Sequence, residues 1–284
     1  MAIFSNQATL TYNGNTTNSN IAYGEILDVL TATKTAVEGT YTPGDQVTYV
    51  VTLRNTGGST LAGLTVTDDL GGYTFGTATV YPLTYVANSA TLFINGAPQP
   101  APAVTAGPPL AVSGLTIPAG GDLVLVYQAV ANAFADPAVG GTIVNTVTVT
   151  GDGLANPITA TETVTVESAP NLTISKSISP AQVVDNDRVT YTFVIQNTGN
   201  EAVLATDNAA ITDTFDPILT ALTVTYEGTP WTEGTQYAYD ETTGVFNTLP
   251  GALAVPAATY TQDPTTGAYT LTPGIATLTV TGTI

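Results

Sequence analysis

The chain has 284 residues, enough for two domains of ordinary size, and 43% of them are hydrophobic while only 9% are charged. Four Lys+Arg against 22 Asp+Glu give a net charge of -18, so a phosphate-neutralising surface is excluded and nucleic acid and anionic lipid are poor partners. His and Cys are both absent, which removes thiol chemistry, disulfides, most zinc sites and the commonest general base; 14 Tyr and 7 Phe argue against a disordered acidic chain.

Taken in chain order, Met1-Ala2-Ile3-Phe4 shows neither a basic n-region nor a long apolar core, so no secretory signal is visible: either one has been removed or the protein is assembled where it is made. Phe4 to Gly14 (FSNQATLTYNG) alternates and predicts a strand with Phe4, Asn6, Ala8, Leu10 and Tyr12 on one face; Ile21 to Val29 reads as a returning strand. Lys34 to Gly57 leads through a strand ending in TDDL at Leu70. Asp122 to Phe134, Thr142 to Gly153 and Ile158 to Ser168 follow as three further strands. Lys176 to Gly199 then repeats Lys34 to Gly57, AAITDTF ends at Phe215 as LTVTDDL ends at Leu70, and Ile275 to Ile284 (IATLTVTGTI) matches the strand from Asp122. No apolar run is long enough to span a membrane, and helical periodicity is missing. Short strands separated by Gly, Pro, Asn and Asp turns predict an all-β chain. It comprises two tandem Ig-like β-sandwich domains preceded by an N-terminal donor strand or hairpin. The expected boundaries are 1–27, 28–168 and 169–284.

The pattern Lys, then Gly-Asp-x-Val-Thr-Tyr-x5-Asn-Thr-Gly, then Val-Thr-Asp resembles the conserved repeat domain of bacterial surface proteins, a family known as domain of unknown function eleven. The first copy carries it at Lys34, Gly44-Asp45, Val47-Thr48-Tyr49, Asn55-Thr56-Gly57 and Thr67-Asp68; the second has Asn186-Asp187 in place of Gly-Asp and keeps the rest. The resemblance implies a structural role on a cell surface or in a stalk, no enzyme activity and no cofactor.

The resemblance also implies a closing pair of strands for each domain. The first copy has them, whereas the second stops at the strand before. The N-terminal segment parallels the missing pair, with Asn6 falling on Asn145 and Phe4–Gly14 on the stretch Val144–Gly153. A sandwich without a core strand exposes an apolar groove, and a lone alternating strand has the reciprocal defect. Donation of one chain's N-terminus to the next chain's second domain resolves both; the bland alternative is a loose N-terminus and a divergent last domain. Closure within one molecule is disfavoured, because the connector from Asn13 to Asp28 spans at most roughly 50 Å. A head-to-tail contact that does not close makes a filament.

Strand parity aims a Lys, an Asp and an Asn at each core. In the first domain these are Lys34, Asp68 and Asn145; in the second they are Lys176, Asp213 and the donated Asn6. Two readings compete. One is a buried Lys–Asp ion pair beside an Asn. The other resembles the self-formed Lys–Asn isopeptide bonds of pilin and collagen-adhesin sandwich domains, which need a desolvated amine, a carboxamide and a carboxyl held protonated by burial. Asn55 and Asn197 share the inward parity but precede Thr-Gly and are read as turn residues; Asp69 points outward and is expected to be solvated. Asp185-Asn186-Asp187 lacks EF-hand spacing, so no metal site is expected. Trp231 is either a core plug or a contact.

The leading expectation is therefore a non-enzymatic, extracellular or cell-surface subunit of a self-assembling filament, such as a pilus or spore appendage, with itself as partner and neither nucleic acid nor membrane insertion. The alternative is a monomeric adhesin or envelope stalk binding carbohydrate or protein through loops such as Tyr226 to Val245. A hydrolase comes third.

Overall fold

The computed structural model describes residues 2–26 and 29–284; the expected boundary at residues 27 and 28 lies outside them. The N-terminal arm is a ribbon of β1 (Ala2–Asn6), β2 (Thr9–Tyr12), β3 (Asn15–Asn18) and β4 (Ala22–Ile26). β1 pairs only with β4 and β2 only with β3. Asn13 and Gly14, at φ 47° and 77°, make the connecting turn, the left-handed pair that a two-residue hairpin demands. Phe4, Leu10, Tyr12 and Tyr23 are all exposed. Strand chemistry is thus satisfied along the arm, and its apolar face is not.

The chain divides into two compact units, 1–136 with 142–165 (which takes in the arm) and 137–141 with 166–284. Unit 1 contains β5 (Leu30–Ala36), β6 (Thr40–Tyr41), β7 (Gln46–Asn55), β8 (Leu61–Asp68), β9 (Tyr73–Phe75), β10 (Ala78–Val80), β11 (Leu83–Tyr85), β12 (Thr91–Ile94), β13 (Ala97–Pro98), β14 (Ala103–Thr105), β15 (Leu110–Ile117), β16 (Asp122–Ala131), β17 (Thr142–Thr150) and β18 (Ile158–Val166). One sheet runs β13-β12-β16-β7-β5 and the other β14-β15-β8-β17-β18-β6. Val, Leu, Ile and Tyr on alternate positions of β7, β16, β15 and β17 are buried, and the intervening residues, Thr in much of β7 and β17 and Val in much of β16, are half-buried or exposed. This is an Ig-like sandwich with both layers complete.

Unit 2 contains β19 (Leu172–Ser179), β20 (Arg188–Asn197), β21 (Thr212–Thr214), β22 (Thr220–Tyr226), β23 (Thr229–Trp231), β24 (Tyr237–Asp240), β25 (Val245–Thr248), β26 (Thr259–Gln262), β27 (Tyr269–Thr272) and β28 (Gly274–Thr283), with one 3-10 turn at Ala205–Asp207. Its larger sheet, β19-β20-β28-β22-β23, copies β5-β7-β16-β12-β13 strand for strand. Registers agree too: Lys34 lies opposite Val51 as Lys176 lies opposite Phe193. The facing sheet is only β21-β25-β24, matching β8-β15-β14, and among the described residues nothing stands where β17 and β18 stand in unit 1.

The consequence is visible in β19. Its counterpart β5 buries Leu30 and Lys34, whereas Leu172, Ile174 and Ile178 are 41%, 55% and 42% exposed. Complete burial of such a side chain is worth about 1.5–3 kcal/mol, so this row leaves substantial stabilisation unused. Aromatics hold the rest of the unit: Phe215 packs on Tyr191 at 4.9 Å and on Phe246 at 6.0 Å between ring centroids.

A two-stranded ribbon with no sheet behind it is marginal in water. Brief chymotrypsin treatment of the unassembled chain should cut at Tyr12 or Tyr23 before any site in 30–284, as read by mass spectrometry. First cuts within residues 30–284 would contradict the exposed arm.

Candidate functional site

Three strands converge on one polar cluster in the unit 1 core. Lys34 comes from β5, Asp68 from the end of β8 and Asn145 from β17, and all three are buried. Lys34 Nζ donates to Asp68 Oδ2 at 2.7 Å, the Leu70 amide donates to Asp68 Oδ1 at 2.7 Å, and the Tyr127 hydroxyl of β16 also donates to Oδ2. Lys34 Nζ lies 4.6 Å from the centroid of the Tyr49 ring, which stacks on Tyr127 at 5.7 Å.

Burial lowers the pKa of Lys34 below its ordinary value, against the opposing attraction of Asp68 and, further off, of Asp69 and Glu162. Burial also pushes the Tyr49 and Tyr127 phenols up, so both remain protonated. The Asn145 carboxamide beside them pulls the other way. Neither Asn145 amide atom, however, makes a hydrogen bond of normal geometry, and the Tyr49 hydroxyl makes none either. An orphaned amide in a dry core costs about 1–3 kcal/mol. The cluster thus holds a depressed amine, a carboxylate to receive its proton and an unengaged carboxamide.

Asp69 is not simply solvated as expected. It is half-buried, and its Oδ1 accepts from the Gly71 and Thr146 amides at 2.9 Å each. The turn after β8 is therefore clamped to β17 one residue from Asn145. Sequence parity pointed Asp69 away from the core but is blind to a side chain reaching along the sheet to a neighbouring backbone. Tyr127 was also missed, although its inward position opposite Tyr49 in the β16–β7 register was a usable signal.

In unit 2, Lys176 pairs with Asp213, but the two side chains are 38% and 19% exposed against 0% and 2% for Lys34 and Asp68. Three rings surround the ammonium, Tyr191 at 4.6 Å, Phe215 at 5.2 Å and Phe193 at 5.4 Å. Register places Val280 where unit 1 has Tyr127, and unit 2 has no Asn at the place of Asn145. Asn6 lies exposed in the arm, opposite Ala22, as Asn145 lies opposite Glu162.

Asn55 and Asn197 are buried but fully engaged. Asn55 Nδ2 donates to the Ser59 and Pro118 carbonyls and its Oδ1 accepts from the Gly57 amide; Asn197 repeats this with Glu201, Pro256 and Gly199. Trp231 stacks on Tyr226 at 4.9 Å against the unit 2 core. In the loop before β20, Asp187 Oδ2 accepts from the Val184 amide. No cluster suited to a metal ion occurs among the described residues, and none of their helices is long and apolar enough to cross a membrane.

No family model and no curated protein matches the chain, so the resemblance to the surface-repeat family rests on the motif residues alone. Among solved structures the chain is similar to a family 123 glycoside hydrolase from Clostridium perfringens at 11% identity, over 48% of this chain and 27% of that one, with a TM-score of 0.29. It is similar to the major pilin SpaD from Corynebacterium diphtheriae at 11% identity, over 85% and 58% of the two chains, TM-score 0.37. It is also similar to BcpA, the major pilin subunit of Bacillus cereus, at 13% identity, over 96% and 73%, TM-score 0.37. The chain thus spans about a quarter of the hydrolase and under two thirds of the Corynebacterium pilin. Likenesses at these scores say nothing of what this chain does.

The two ion pairs should respond differently to loss of the carboxylate. Asp68→Ala strands a buried ammonium and should destabilise unit 1 by about 3–5 kcal/mol. Asp213→Ala in the unassembled chain removes a partly solvated pair and should cost at most about 1 kcal/mol. Denaturant unfolding followed by unit-specific amide exchange measures both, and equal losses would contradict the burial contrast.

Proposed function

We propose that this chain is a structural subunit of an extracellular filament, in which the N-terminal arm (1–27) of one copy inserts into the open face of the last domain (169–284) of the next, while the central domain (28–168) is complete in itself. The observation that carries this reading is the contrast between β5 and β19. One inward row is covered by β17 in unit 1 and bare in unit 2, and the arm bears the alternation, the inward Asn and the hairpin pairing of β17–β18. Insertion would cover the row, pair the open side of β21 and bury the apolar face of the arm.

The same alignment assigns the chemistry. In the central domain the Lys34 ammonium passes its proton to Asp68, and the neutral amine attacks Cγ of Asn145. Asp68, now carrying the proton, hydrogen-bonds the carboxamide oxygen and polarises it. The proton released from the attacking nitrogen goes, by way of Asp68, to Nδ2. The C–N bond to Nδ2 then breaks, ammonia leaves and a Lys–Asn amide remains. Lowering of Lys34 by burial favours the first transfer, and the unengaged Asn145 amide is free to react. Between copies the reacting groups are Lys176, Asp213 and Asn6. There the donor must dock before the amine is dehydrated and the carboxamide is in reach, so insertion gates the reaction.

Purified chain should form end-to-end filaments by negative-stain microscopy that resist boiling in detergent as a ladder, with crosslinked peptides lighter by one ammonia in mass spectra. Lys176→Ala, Asp213→Ala or Asn6→Ala should each leave filaments that fall apart in hot detergent, while Lys34→Ala should keep the ladder. Removal of residues 1–20 should abolish filaments. Unchanged filaments without the arm would overturn insertion; filaments that run wholly as monomers in hot detergent would leave only the ionic pairs.

A further inference from the structure

In unit 1 the place of β17 is already filled by β17, so the arm's open destination is unit 2, and what remains to be set there is its register. Along β17, Val147 lies opposite Asp68 and Val149 opposite Val66. The next inward position, Gly151, comes down on Leu64. A Cβ at Gly151 would lie 2.7 Å from Leu64 Cδ2, 2.9 Å from Leu64 Cα and 3.1 Å from the Gly63 carbonyl oxygen, so the Leu64 side chain and the β8 backbone together leave no room for one.

The aligned motifs LTVTDDL and AAITDTF put Ala209 of unit 2 where unit 1 has Leu64. With Asn6 at the place of Asn145, the arm puts Ala8 at Val147, Leu10 at Val149 and Tyr12 at Gly151. Tyr12 therefore falls on Ala209. Unit 2 has an open apolar cavity of about 170 Å³ at that point, lined by Leu172, Ile174, Ala209, Ile211, Leu253 and Val255. Leu10 and Tyr12 are 65% and 73% exposed in the arm, apolar surface with no cover of its own. Unit 1 sets no side chain against a Leu; the arm and unit 2 set a phenol ring against an Ala.

We infer that the Tyr12–Ala209 pair fixes the register of the arm: the ring fills the unit 2 cavity of a second copy, at the position where unit 1 has the larger Leu64. This rests on the insertion reading above and specifies its partner surface. A slip of one residue would turn Tyr12 outward and take Asn6 away from Lys176, so correct seating of the ring also aligns the reacting groups.

The test uses full-length chains and the concentration at which half the protein sediments as filaments. Ala209→Leu, which gives unit 2 the volume of Leu64, should raise that concentration at least about thirtyfold. Tyr12→Gly, at an exposed position outside both cores, should raise it about tenfold. Combined, Tyr12→Gly with Ala209→Leu recreates the unit 1 pairing and should assemble better than Ala209→Leu alone, which also shows that the Leu variant folds. Assembly of Ala209→Leu at the unmodified concentration, or no gain in the double variant, overturns the size pairing while leaving insertion standing. Failure of the unmodified chain to assemble at any concentration overturns both.

Discussion

A β-sandwich keeps its inward rows dry only when two sheets lie face to face, and a row is as buried as the strand opposite allows. Everything distinctive in this chain depends on one such strand. β17 crosses over β5 in unit 1, and with it Leu30 and Lys34 disappear from solvent. Where β17 has no counterpart, the same row of the same fold is left half in water. The two units are therefore a paired experiment within one polypeptide, with most of the larger sheet held constant and one cover removed.

The polar cluster shows how strongly that cover acts. An ammonium and a carboxylate deep in a core gain from each other at close range, but each loses its hydration, and the balance is often near zero. Unit 1 tips it by surrounding Asp68 with donors from three directions, Lys34, Tyr127 and the Leu70 amide. Unit 2 uses another solution: aromatic faces around Lys176 and partial access to solvent. Val280 in place of Tyr127 removes one donor from the second site. Its carboxylate consequently depends more on what is brought to it than on what is already there.

Much of this was legible in the sequence because repetition supplied an internal reference. The match of Lys34–Gly57 to Lys176–Gly199 predicted two domains of one fold, and period-two alternation predicted that Lys34, Asp68 and Asn145 face inward, as they do. Three things were not legible. The arm, expected as a strand or hairpin, is divided into two short ladders, β1 with β4 and β2 with β3, because Asn13-Gly14 closes a tight turn that folds the expected first strand back on its return. Asp69 bonds laterally to β17, which facing rules do not describe. Tyr127 reaches Asp68 across the width of the sandwich, a distance that parity along one strand cannot express.

The hairpin form of the arm has a mechanical consequence. Unit 1 follows the arm through β4, whereas Asn6 belongs to β1, paired beside β4 but separated from it along the chain by the whole hairpin. In a filament joined as proposed, a pulling force enters at residue 29 and reaches the anchor at Asn6 only after travelling along β4, round the Asn13–Gly14 turn and back. The β1–β4 bonds would yield before the anchor is loaded, releasing roughly 70 Å of chain at about 3.3 Å per residue. Each joint would then lengthen under sudden strain and re-zip when the strain is removed, so that the fibre is extensible at its joints and stiff in its domains.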